Sequence, residues 1–95
     1  RDYYASRGLG DVYKRQVRIE CDNSFAGVMI DRFGKDVSMI RLDDKRFVVN
    51  VEVAVSRQFL AWIISLGEGV TLVGPDNVVE MMNIEIDRLI KQYKK

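Results

Sequence analysis

Between Phe47 and Gly67 the hydrophobic period of this chain changes once, from every second residue to every third or fourth. Phe47, Val49, Val51, Val53 and Val55 alternate with Val48, Asn50, Glu52 and Ala54, the pattern of a strand with one buried face. Phe59, Trp62, Ile63 and Leu66 then recur at helical spacing. Ser56 stands at the junction, where its hydroxyl can accept from a free helix N–H. Gly67 follows the last apolar position, where a left-handed residue can close the helix. A chain built this way needs a sheet and helices covering each other, so a small α+β domain is expected. Nothing in the stretch is chemically reactive.

The remaining elements follow the same rules. Val17 to Cys21 alternates and predicts a first strand. Asp22 or Asn23 is placed to cap a helix carrying Phe25, Met29, Ile30 and Phe33 on one side, with Gly34 as its stop. Asp36 to Leu42 predicts a second strand, and Asp43-Asp44-Lys45 a turn into the strand Phe47–Val55. The Ser56–Leu66 helix leads through Gly67-Glu68-Gly69 to a short strand, Val70 to Val73. Gly74-Pro75 opens a last helix, since proline is tolerated in a first turn. Val78, Val79, Met82, Ile86, Leu89, Ile90 and Tyr93 are its expected buried stripe, with Lys91, Lys94 and Lys95 at its negative end. The order is βαββαβ plus a closing helix, which predicts a ferredoxin-like sandwich with all helices on one face of the sheet.

That packing leaves two surfaces open. The outer sheet face is expected to carry Arg18 and Glu20 from the first strand and Val48, Asn50 and Glu52 from the third. Arg18, Glu20, Asn50 and Glu52 are thus the candidate effector-facing residues. On the helical side, Leu60 and Ile64 lie off the main stripe of their helix, and Met81 and Ile84 off that of the last one. These four either pack against a neighbouring helix or meet a partner, and they are the candidate interface.

Composition excludes much chemistry. The 95 residues include no histidine, so Ser–His and Cys–His nucleophile arrangements are ruled out within the chain. The single cysteine, Cys21, shares a strand face with Val17 and Ile19, as a buried thiol would, and suits a reducing cytoplasm. Asp43 and Asp44 sit in a turn beside Lys45 and Arg46, where solvated carboxylates are ordinary. Gly67-Glu68-Gly69 follows a helix, and phosphate cradles precede one. No catalytic residue, metal ligand or cofactor site is expected, and no enzyme. The third strand offers no aromatic pair for stacking RNA bases, and the Cys21-Asp22-Asn23-Ser24 junction is too acidic for an acylphosphatase-type anion loop. No run of eighteen apolar residues is present, so no membrane span is expected.

The formal charge of +1 depends on the first sixteen residues, which hold four bases against two acids, leaving eleven against twelve in residues 17–95. With no run of bases longer than two, DNA binding by this portion is not expected. Residues 1–16 lack a sustained period, and Gly8 to Gln16 (GLGDVYKRQ) resembles translated synthetic adaptor sequence, a native linker or tail being the alternative. The initial Arg1 predicts a fragment or processed piece. The expected division is therefore a leader, 1–16, and a domain, 17–95.

Three blocks carry a family resemblance: VRIECDNSFAGVMIDRFGKDV (Val17 to Val37), FVVNVEVAVSRQFLAWIISLGEGVTLVGP (Phe47 to Pro75) and the amphipathic helix Asn77 to Tyr93. Together they resemble the C-terminal extension, or WCX domain, of WYL-domain helix-turn-helix transcriptional regulators, with Trp62 and Leu66-Gly67 at the family's tryptophan and Leu-Gly step. The resemblance implies a ferredoxin-like end piece of a bacterial regulator that contributes dimer contacts and completes effector sensing. It implies a homodimer of the full-length regulator, a small-molecule or nucleotide effector, and DNA contact only through a helix-turn-helix upstream. Trp62 is followed by Ile63 and Ile64, so the ligand residues of a WYL domain have no counterpart here. A stand-alone small-ligand-binding ferredoxin-like module is the alternative.

Overall fold

In the computed structural model, residues 14–94 are described, and they form four strands and three α-helices in the order anticipated. Strand β1 is Lys14–Asp22, followed by a single 3-10 turn, Asn23–Phe25, and helix α1, Ala26–Phe33. Strands β2 (Ser38–Arg41) and β3 (Arg46–Ala54) form a hairpin, and helix α2 is Arg57–Ser65. A second 3-10 turn, Gly67–Gly69, leads into β4 (Val70–Gly74) and helix α3 (Asp76–Tyr93). The sheet order is β2-β3-β1-β4 and every pairing is antiparallel, the ferredoxin-like arrangement with an added C-terminal helix.

The period-two residues point where the sequence requires. Val17, Ile19 and Cys21 of β1, Phe47 and Val49 of β3, and Val70 and Leu72 of β4 are buried. They share one core with Met29 of α1, with Phe59, Leu60 and Ile63 of α2, and with Val78 of α3. All three helices therefore cover the same face. Ile19, Met29, Val49 and Val78 have no exposed surface, and truncating Ile19 or Met29 to alanine leaves a void costing about 2–5 kcal/mol.

The junction residues behave as their chemistry predicts. Ser56 has extended backbone, and its hydroxyl accepts from the Phe59 N–H at 3.1 Å. Gly67 adopts φ 84°, a conformation in which a side chain would be strained, and so ends α2. Trp62 meets Phe33 edge-on at 5.7 Å and Phe59 at 6.1 Å between ring centroids, with the Arg32 guanidinium 4.5 Å over its ring. The tryptophan thus locks α1 to α2.

Four expectations are corrected. Neither Asp22 nor Asn23 caps α1 with its side chain; a 3-10 turn intervenes. Asn23 instead donates its backbone N–H to Lys45 O and its amide to Asp44 O, both at 2.9 Å, fastening the β1 end to the β2–β3 turn. The second strand is shorter than the expected Asp36–Leu42. The first begins at Lys14, three residues before the expected start at Val17, because Lys14, Arg15 and Gln16 continue its pairing opposite Ala54, Val53 and Glu52. The rest of the expected leader, residues 1–13, and Lys95 lie outside the described residues. Finally, the stripe of α3 is buried only in part: Val78 is buried, Val79, Met82 and Leu89 are half-buried, and Ile86, Ile90 and Tyr93 are 39, 49 and 75 % exposed.

Candidate functional site

The uncovered sheet face carries two polar groups, with the exposed Ile40 and the half-buried Val48 on the same face. At one end, Arg46 of β3 reaches across to Glu20 of β1 at 2.8 Å and back to Asp43 at 3.1 Å. Asp43 closes the hairpin by accepting the Lys45 and Arg46 N–H groups at 2.8 and 2.9 Å. Those bonds, the Lys45 N–H foremost and then the Arg46 guanidinium, hold the Asp43 carboxyl below the ordinary carboxylate range. Arg41 bonds Asp44 across the same turn. The acidic pair Asp43-Asp44 is therefore a turn device, fully occupied with closing the hairpin.

At the other end, Arg18 and Asn50 are direct cross-strand partners, with Gln16 opposite Glu52 in the next row. β4 stops at Gly74 while β1 runs on, and this step opens a cleft of about 230 Å³ lined by Gln16, Val17, Arg18, Asn50 and Pro75. Of the four candidate effector-facing residues, the structure brings Arg18 and Asn50 together. Glu20 is drawn into the Arg46 cluster, and Glu52 lies exposed beyond the cleft lining. Gln16 and Pro75 were not anticipated; Gln16 shares strand parity with Arg18, whereas Pro75 arrives through the sheet order alone.

On the helical side, a second cavity of about 230 Å³ lies between α2 and α3, lined by Val55, Ser56, Arg57, Leu60, Met81, Ile84 and Glu85. Three of the four candidate interface residues meet here. Leu60 is buried at 4 % exposure and belongs to the core, Met81 is half-buried, and Ile84 is 60 % exposed at the rim. Ile64, 42 % exposed, does not line the cavity. Glu85 is a buried acid that the sequence reading did not single out. It accepts from Arg88 one turn on at 2.6 Å and from Arg57 of α2 at 3.2 Å. The bond from Arg88 leads in holding its carboxyl below the ordinary range, against the opposing pull of burial. The spacing of Glu85 and Arg88 was visible as a helical ion pair. Their joining to Arg57 across two helices was not.

The Cys21 thiol is buried, and desolvation together with Asp22 and Glu20 pushes it up to about 11, away from the reactive thiolate. No group of His, Cys, Asp and Glu among the described residues could hold a metal ion, and no described helix is long and apolar enough to cross a membrane.

A four-stranded antiparallel sheet with all its helices on one side defines a ferredoxin-like module. A family model described as the WCX domain matches residues 13–90, and the chain belongs to that family, the WYL-regulator domain anticipated from Trp62 and the flanking blocks. A search among curated proteins finds no match.

Proposed function

We propose that this domain is the non-catalytic C-terminal regulatory and dimerisation module of a bacterial, cytoplasmic WYL-family transcriptional regulator. DNA is contacted by a helix-turn-helix elsewhere in the regulator, and the domain contributes assembly and effector response. Membership of the WCX family carries this reading. The apolar residues Ile64 of α2 and Ile84 of α3 support it, since each is exposed and offers apolar surface that a second subunit can cover. In the intact regulator, Ile64→Asp and Ile84→Asp are expected to lower the dimer mass measured by sedimentation and to weaken operator binding while both domains stay folded. Unchanged mass and operator affinity would remove these residues from the contact. Leu60→Asp is a poor probe, because a charge at a 4 % exposed core position unfolds the domain.

The cleft beside Arg18 favours a second reading, a small-ligand-binding module that needs no upstream domain. Saturable binding of a metabolite by the 95-residue chain alone is its test.

A further inference from the structure

We propose that the open sheet face carries an oxyanion site, in which the carboxylate or phosphate of a small ligand seats against Arg18 and Asn50 between Gln16 and Pro75. The proposal deepens the second reading above and rests on it. Its foundation is one row of the sheet. Ser38 pairs with Asn50, Asn50 with Arg18, and Arg18 with Gly74, so four strands contribute one position each to a line across the open face. Three of these positions offer hydrogen-bond donors, and the fourth has no side chain.

Gly74 gives the arginine its place. A Cβ at that position would lie 2.9 Å from a terminal nitrogen of Arg18, so the guanidinium rests over the β4 backbone where any other residue would push it away. The register of β1 against β4 shifts between Arg18 and Ile19, an irregularity of the sort that re-aims a side chain. The guanidinium so placed is part of the cleft lining, and its planar fork of donors is a group suited to the paired oxygens of a carboxylate or phosphate.

Among the described residues, no acid answers the charge of Arg18 either. Arg41, Arg46, Arg57 and Arg88 each hold a carboxylate, whereas Arg18, like Arg15 and Arg32, has no ion pair among the described residues. The position opposite it is a neutral amide, Asn50, where an acid would make the ordinary cross-strand pair. Glu20, two residues along its own strand, is taken by Arg46 at 2.8 Å. A sheet that diverts the neighbouring acid and places an amide opposite the cation leaves a positive point beside a concavity. The cleft, at about 230 Å³, is smaller than the roughly 300–1,000 Å³ of pockets that enclose a drug-sized ligand. It holds an anionic head group, with the remainder of the ligand lying over the sheet. Glu52, opposite Gln16, sets the direction, since a negative group is repelled from that side and drawn to Arg18.

The test is titration of the isotopically labelled 95-residue chain, following backbone amide shifts at constant ionic strength. Inorganic phosphate, succinate and the uncharged nucleoside adenosine are the three probes, and potassium chloride is the control. Saturable shifts confined to the Gln16–Arg18, Asn50 and Gly74 region with phosphate or succinate support the site, and the stronger of the two tells phosphate from carboxylate. Arg18→Gln is expected to weaken that binding about tenfold or more, the loss of a charge-assisted pair. Arg18→Lys retains part of it, and Asn50→Asp, which supplies the missing acid, abolishes it. Arg41→Gln, in the hairpin turn, leaves it unchanged. Shifts reproduced by chloride, or surviving Arg18→Gln and Asn50→Asp undiminished, overturn the proposal. Shifts on this face with adenosine and neither anion overturn the oxyanion class and keep the ligand reading. Silence with all three probes removes both.

Discussion

Helices α2 and α3 were written in the same hydrophobic code, yet they use it differently. α2 spans nine residues and buries Phe59, Leu60 and Ile63, with a serine cap at one end and a left-handed glycine at the other. α3 spans eighteen and buries only Val78 and Glu85. The shorter helix is packed along one whole side, where Phe59, Leu60 and Ile63 enter the core, and leaves Ile64 exposed on the other. The longer one is anchored at its start, and its far half carries Ile86, Ile90 and Tyr93 into the open. Amphipathic spacing states which residues share a side of a helix. It does not state how far along the helix a partner extends.

Substitutions can break this contrast at either helix. Phe59→Ala is expected to have the largest effect, about 3–5 kcal/mol of unfolding free energy by chemical denaturation, because it empties the core beneath Trp62 as well as its own site. A loss under about 1 kcal/mol would mean that α2 is not the better-packed helix. Ser56→Ala removes the bond to the Phe59 N–H and is expected to cost about 1 kcal/mol. Glu85→Gln, at the middle of α3, should act through pH. A carboxyl held below its ordinary range stabilises the fold above its unfolded pKa and loses that contribution as pH falls through its folded value. The difference between Glu85→Gln and the parent is therefore expected to be full at neutral pH and to shrink below about pH 4. A difference that grows on acidification would show that the Arg57–Glu85–Arg88 cluster does not act as an ion network. Ile90→Ser, in the exposed half of α3, is expected to change stability by no more than about 0.5 kcal/mol in the isolated chain. A larger loss would mean that this half of α3 is covered after all.

The sheet shows how much of the fold could be read in advance. The alternation through Phe47–Val55 and Val17–Cys21 sorted inward from outward residues correctly, because side-chain direction in a strand depends only on parity. The same parity placed Arg18, Glu20, Asn50 and Glu52 on one open face. It could not distinguish among them. Glu20 turned out to answer Arg46 while Arg18 answers nothing among the described residues, a difference set by which rows the hairpin turn brings level. The cap of α1 was misread for a related reason. Asn23 has the chemistry of a cap, but the β2–β3 turn offered it the Lys45 and Asp44 carbonyls first.

What the sequence alone determined is local: the period switch at Ser56, the left-handed stop at Gly67, the parity of each strand, and the absence of histidine. Each follows from residues within a turn or two of one another, where backbone sterics and side-chain spacing act without long-range help. Tertiary structure decided the rest. It set the length of α3 left uncovered, closed Glu85 between Arg57 and Arg88, and laid Arg18 over Gly74 in a row drawn from all four strands. Those contacts join residues dozens of positions apart, and their energies exist only once chain closure has brought the partners within reach.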